Sequence, residues 1–233
     1  MTTKQFIMSC IINILNAFFY FYGYEFTFNY QFLVFLTILT LDFNSIYLLL
    51  SFICDISFFI FKSTKLEALN TFLRDKFCHI FNPASYFVTI LFWILAAMGG
   101  MGDIFFNARI IILNIHMHLL ITIFVIIDIF FAEHQRHSFS WVYFGMIFGY
   151  IISYGIFCAI LTLKFDNPPY PFLENMSIWD ILGCYAVFAI ICLLCYLLHI
   201  FIIKIKYKYK LFIREEDSLK ESENNSENNY KTI

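Results

Sequence analysis

From Phe32 to Phe61 the chain runs for thirty residues with only two charged side chains, Asp42 and Asp55. That exceeds the roughly 20 apolar residues needed to cross a bilayer. Comparable runs recur at Ile110–Phe131, Trp141–Leu163 and Ile178–Ile203, with shorter ones at Phe6–Tyr22 and at Ala84–Ala97, the latter with an alternative start further back at Phe77. A chain of 233 residues that is 61% hydrophobic and 14% charged cannot cover such segments with a water-facing surface. The runs are continuous rather than alternating, which excludes a lipid-facing barrel and leaves helices. The sequence therefore predicts an all-α membrane protein, a bundle of about six transmembrane helices occupying residues 1–210. Residues 211–233, rich in Glu, Asn, Ser and Lys, have little to bury and read as a disordered tail. No small-residue cleavage site follows the first run, so it reads as a span and not as a removed signal.

Basic residues orient the bundle. Lys4, Lys62, Lys65, Arg74, Lys76, Arg136 and the run from Lys204 to Arg214 fall on one side of a six-span layout, and only Arg109 and Lys164 fall on the other. The positive-inside rule then places both termini in the cytosol. The run Lys204–Lys210, with Tyr207 and Tyr209 interleaved, follows the last span directly and reads as a topology anchor near anionic lipid, not as a nucleic-acid site. The sequon Asn175-Met176-Ser177 lies too close to span six to be glycosylated. The seven cysteines lie mostly inside apolar runs and read as small apolar fillers, not as disulfides or metal ligands.

Span four carries the polar groups that hydrocarbon makes expensive: Asn114, His116, His118 and Asp128. Intramembrane ionisable groups face a protein or water-filled interior, which makes this stretch the first place to look for a site. At roughly 100° per residue, Asn114, His118 and Thr122 share one stripe, while His116 points about 200° from His118. Asp128 lies on the same broad face as His118, more than two turns deeper. The two histidines cannot share one small site on a regular helix, and H-x-H alone is a poor metal motif. Haem is not expected either, because His199 sits near the cytosolic end of span six and His116 and His118 in the outer half of span four. No metal or other cofactor is expected.

Span two carries the complementary stripe of Thr37, Asn44, Ser51 and Asp55, with Asp42 on the far side. Such groups commonly hydrogen-bond across helices and do no more than hold a bundle together. Depth adds a second reading. Thr37 and His118 both lie roughly 8–12 Å below the outer boundary at 1.5 Å per residue. A hydroxyl becomes a nucleophile when a neutral imidazole takes its proton. On residues alone, an intramembrane enzyme and a non-enzymatic carrier, receptor or scaffold stay open. Spans two, four and six lack proline and no internal repeat is visible, which disfavours the broken paired helices of a carrier.

Phe35-Leu36-Thr37 with Asn44, Leu113-Asn114-x-x-Met117-His118 with Asp128 and His134, and Tyr170-Pro171-Phe172-Leu173-Glu174 resemble the androgen-induced protein family, which includes the androgen-dependent TFPI-regulating protein. Leu73-Arg74-Asp75 and the Phe87–Trp93 run also fit, so the likeness covers about residues 32–200. It implies a six-span hydrolase of the endoplasmic reticulum or plasma membrane that cleaves fatty acid esters of hydroxy fatty acids. It places the nucleophile at Thr37 and the catalytic histidine at His118. Asn44 and Asn114 become supporting or oxyanion-binding groups, and Asp128 and His134 structural polar groups. Asp128 is expected to bind a group on another helix, such as His134 or Arg136. The implied partners are a lipid ester and the membrane. Two departures stand out: Ile115 occupies a position where the family usually carries another histidine, and Asp128 replaces a glutamate.

Overall fold

The computed structural model describes residues 3–27, 36–62, 64–97, 108–131, 139–165 and 177–230. Every element among them is helical. In chain order they are α1 (Thr3–Thr27), α2 (Leu36–Phe61), α3 (Thr64–Lys76), α4 (Cys78–Ala97), α5 (Ala108–Ile115), a π turn (His116–Leu120), α6 (Ile121–Phe131), α7 (Trp141–Phe165) and α8 (Ile178–Tyr230).

Among the described residues, five stretches are long and apolar enough to cross a membrane: Lys4–Tyr22, Leu36–Phe61, Ala68–Ile94, Trp141–Cys158 and Gly183–Tyr209. The sixth expected span is the unbroken rod Ala108–Phe131, assembled from α5, the π turn and α6. The π turn is defined by its exit, where the Ile121 N–H bonds back five residues to the His116 carbonyl. Such a turn holds one more residue than an α turn, and these bulges are frequent at functional sites.

The third span differs from expectation. Its helix begins at Cys78, beside the alternative start at Phe77 and not near Ala84, the apolar stretch runs back further to Ala68, and α3 leads into α4 through Phe77 alone. The Phe77 N–H still bonds to the Leu73 carbonyl, and the Phe81 N–H to the Phe77 carbonyl. Arg74 is therefore part of a helix and not of a loop. The α2–α3 connection turns at Lys62, whose φ of 49° is in the left-handed region. Beyond Tyr209, α8 continues to Tyr230 across the stretch whose composition predicts disorder. A span already formed supplies the costly helical nucleus for further turns.

α4 is the hub of the bundle. It packs against α2, α3, α6, the π turn, α7 and α8. Its span is 56% buried, against 17% for α7 and 22% for α1, so the outer helices present their apolar side chains to lipid. Ile46, Leu49, Leu50 and Ile53 of α2 and Ile190, Leu194 and Leu197 of α8 are exposed in this way. Helices cannot associate by hydrophobic exclusion within lipid, so packing and interhelical hydrogen bonds must hold them. Thr89 of α4 meets Thr122 of α6 at 2.7 Å, Thr40 of α2 meets Tyr150 of α7 at 3.1 Å, and Tyr20 of α1 donates to Asp42 of α2 at 2.9 Å. Asp42, on the far side of α2 from Thr37, thus faces α1. Where α7 crosses α8, the Tyr185 ring lies against Gly155, and a Cβ there would sit 2.8 Å from Tyr185 Cζ.

Candidate functional site

Both histidines of the π turn are buried, His116 at 0% exposure and His118 at 5%. They achieve this by facing different helices, as their angular separation requires. His116 turns to α1, where its Nε2 lies 3.2 Å from Asn16 Oδ1 and its ring stacks on Phe19 at 5.5 Å. His118 turns to α4 and stacks on Phe92, with ring centroids 3.5 Å apart and an interplanar angle of 13°. Phe92 is itself buried. The stack fixes the plane of the imidazole. His118 Nδ1 is buried without a hydrogen-bond partner, as is Asn114 Nδ2 one turn earlier. Leaving such groups unsatisfied costs about 1–3 kcal/mol each. A polar ligand entering beside them would recover that cost.

Thr37 lies at the start of α2, half-buried. α2 packs against the π turn, while the side chains of the span-four stripe reach α4, His118 through Phe92 and Thr122 through Thr89. His118 Nδ1 makes no hydrogen bond to Thr37. Asn44 departs from its expected role. Its Nδ2 donates to the Thr40 carbonyl at 2.8 Å and to the Phe81 carbonyl at 3.3 Å. Both amide hydrogens are committed to backbone, so Asn44 ties α2 to α4 and has no donor left for an oxyanion. Asn114 retains one.

Asp128 binds groups on other helices, as expected. Tyr47 of α2 donates to its Oδ2 at 3.1 Å, and Arg74 Nη2 approaches its Oδ1 at 3.4 Å. His134 and Arg136 lie outside the described residues. Arg74 is held more firmly by Asp55, through Nη1 to Oδ1 at 2.9 Å and Nη2 to Oδ2 at 2.8 Å. Ser9 of α1 and Asn70 of α3 donate to the same carboxylate at 2.8 and 2.6 Å. One buried cation thus joins α1, α2, α3 and α6. The residue pattern pointed to Asp55 and Asp128 as membrane-depth carboxylates but counted Arg74 among the loop charges.

A second cluster escaped the sequence reading. His79 of α4 and His199 of α8 meet with Nδ1 and Nε2 3.0 Å apart, and Cys78 lies beside them. A histidine pair at one depth therefore exists, formed by His199 with a residue that the third span includes only from its alternative start at Phe77. Its nitrogens are too close for a porphyrin to lie between opposed axial ligands.

A family model described as FAR-17a/AIG1-like protein matches residues 4–204, which include Thr37, Asn44, Asn114, His118 and Asp128. Neither a curated protein nor a solved structure matches the chain. The helical architecture, the recurrent apolar spans and a match over most of the length agree, and the chain belongs to the FAR-17a/AIG1-like family, the androgen-induced gene 1 family, of multi-pass membrane proteins.

Proposed function

We propose that this protein is an intramembrane lipid hydrolase that cleaves the ester bond of fatty acid esters of hydroxy fatty acids, with Thr37 as nucleophile and His118 as base. The observation that carries the reading is the state of His118: a buried imidazole, held flat against Phe92, with Nδ1 unbonded, in a π turn packed against the helix that bears Thr37. His116 also leaves its Nδ1 unbonded, but it is tied to Asn16 through Nε2, whereas His118 is held by the Phe92 stack.

In the first half-reaction His118 takes the Thr37 hydroxyl proton as the Thr37 oxygen attacks the ester carbonyl. The tetrahedral intermediate collapses with cleavage of the ester C–O bond. His118 returns the proton to the departing hydroxy fatty acid, leaving an acyl-threonine. Water then attacks this second ester, His118 again carries the proton, and the fatty acid leaves with Thr37 restored. Asn114 Nδ2 supplies an N–H for the oxyanion. The acyl chains lie among the apolar side chains of the bundle, in the endoplasmic reticulum or plasma membrane.

The test is hydrolysis by protein purified into lipid nanodiscs. Thr37→Ala and His118→Ala should each reduce turnover at least about 1,000-fold, in line with the loss of either member of a nucleophile–base pair. Thr37→Ser should retain part of it, and a fluorophosphonate probe should label wild type but not Thr37→Ala. Full hydrolysis or equal labelling by Thr37→Ala would remove Thr37 as nucleophile and favour a non-enzymatic carrier, receptor or scaffold.

A further inference from the structure

We propose that Cys78, His79 and His199 form a mononuclear zinc(II) site that pins α4 to α8. The three residues are 0%, 1% and 0% exposed, and their ligand atoms all lie within 4.8 Å of one another. His79 Nδ1 and His199 Nε2 are 3.0 Å apart. Two imidazoles on a tetrahedral zinc ion, each at about 2.0–2.1 Å, have nitrogens about 3.3 Å apart, so a shift of a few tenths of an ångström admits the ion. A thiolate at about 2.3 Å completes a donor set typical of zinc.

Two further observations point to a ligand. The Tyr86 hydroxyl is buried without a hydrogen-bond partner, and its ring lies 6.1 Å from that of His199. Both polar ends of the Asn82 side chain are likewise buried and unpartnered. His79, Asn82 and Tyr86 follow at i, i+3 and i+7, along one face of α4. They supply a fourth oxygen donor and an outer shell, directly or through water. Charge also fits. Cys78 lies in the field of Asp75, Asp128, Arg74 and Lys206, and Asp55 grips the same arginine. Three carboxylates against two cations leave one formal negative charge, which a divalent ion bound by one thiolate cancels.

On binding, the Cys78 thiol loses its proton to solvent. The histidine that donates the shared hydrogen bond moves its proton to its other ring nitrogen, freeing both facing nitrogens for the metal. Thirteen residues of helix, roughly 20 Å, separate His79 from Phe92, so the site is distinct from the His118 centre.

The test uses the full chain in nanodiscs, stripped with chelator and reloaded with zinc(II), copper(I) or cobalt(II). We expect about one zinc per chain retained through gel filtration, falling at least tenfold in Cys78→Ser and His199→Gln but not in Cys192→Ser. Cobalt should give a thiolate charge-transfer band that Cys78→Ser abolishes. If those variants do not fold, the wild-type cobalt spectrum decides: a thiolate band supports the site, and its absence overturns it. Zinc retention by wild type no greater than by Cys78→Ser overturns it, and retention of copper(I) without zinc(II) overturns the choice of ion.

Discussion

The guanidinium of Arg74 binds the carboxylate of Asp55 end-on, Nη1 and Nη2 each donating to one oxygen at 2.9 and 2.8 Å, with both residues buried. Bidentate geometry makes this a strong tie across the bundle, and it is also a liability. Removing one partner strands a charge away from water, at a cost of about 3–5 kcal/mol. Arg74→Met and Asp55→Leu should therefore each lower the thermal midpoint in detergent sharply. The double replacement should recover part of the loss, since of this cluster only Asp128 then keeps its charge. Asp128→Asn should cost less, about 1–3 kcal/mol, because Arg74 reaches Asp128 at 3.4 Å through one nitrogen only. Additive losses in the double variant would show that the pair does not act as a unit.

The entry to α8 carries a reciprocal cap outside the spanning segment. The Asp180 N–H donates to Ser177 Oγ at 3.3 Å, while the Ser177 hydroxyl and N–H donate to Asp180 Oδ2 at 2.6 and 2.9 Å. Those two donated bonds hold the Asp180 carboxyl below the usual carboxylate range. A lowered folded-state value means that the stabilisation is present above the unfolded pKa, near 4, and is lost as pH falls through the folded value. The protection of amides in the first turn of α8, taken relative to their intrinsic exchange rate, should fall on acidification below about pH 4 in wild type, and Asp180→Asn should flatten that dependence. Ser177→Ala should speed exchange at neutral pH, consistent with about 1 kcal/mol for a lost cap. The same engagement of Ser177 favours an unglycosylated Asn175, and a mobility shift on deglycosylation would contradict it.

We propose that both termini are cytosolic. Burial of Arg74 removes one residue from the charge count, but the surrounding Lys62, Lys65 and Lys76 remain exposed, as do Lys204 and Lys208. Six crossings return the chain to its starting side, and the basic residues cluster on that side. In sealed cells a C-terminal tag should resist external protease and become digestible only after permeabilisation. Digestion without permeabilisation would reverse the orientation.

The spans were legible because apolarity over some 20 residues is a property of composition, and hydrocarbon leaves the backbone few options other than helix. What could not be read locally were the partners. Arg74 sits among Lys65, Asp75 and Lys76 and looks like loop charge; its true environment is set by Asp55 and Asp128, 19 and 54 residues away. His79 and His199 are 120 residues apart. Asn44 was correctly placed on the inner face of α2, but spacing says nothing about which carbonyls its amide will reach. The π turn has no signature in His116-Met117-His118-Leu119-Leu120, and it is this turn that decides where His118 points. Depth alone put Thr37 and His118 at a similar level, and it was the family resemblance that singled them out as a pair.

Phe92 gives the sharpest test of how His118 is used. A stacked ring 3.5 Å away restrains the imidazole tilt without touching a ring nitrogen, so Phe92 acts as a positioning residue. If Nδ1 must meet the Thr37 hydroxyl within hydrogen-bond reach, a displaced ring lowers the rate while leaving the acyl-binding surface largely intact. Phe92→Leu should keep apolar volume but remove the flat face, lowering kcat about 10- to 100-fold with KM little changed, in line with the cost of an ångström-scale misplacement. Phe92→Tyr, which restores the face, should recover most of the rate. A general packing defect would instead lower folded yield and thermal midpoint, with kcat per folded molecule unchanged. That outcome would mean that the stack only fills space and that His118 does not depend on it for catalysis.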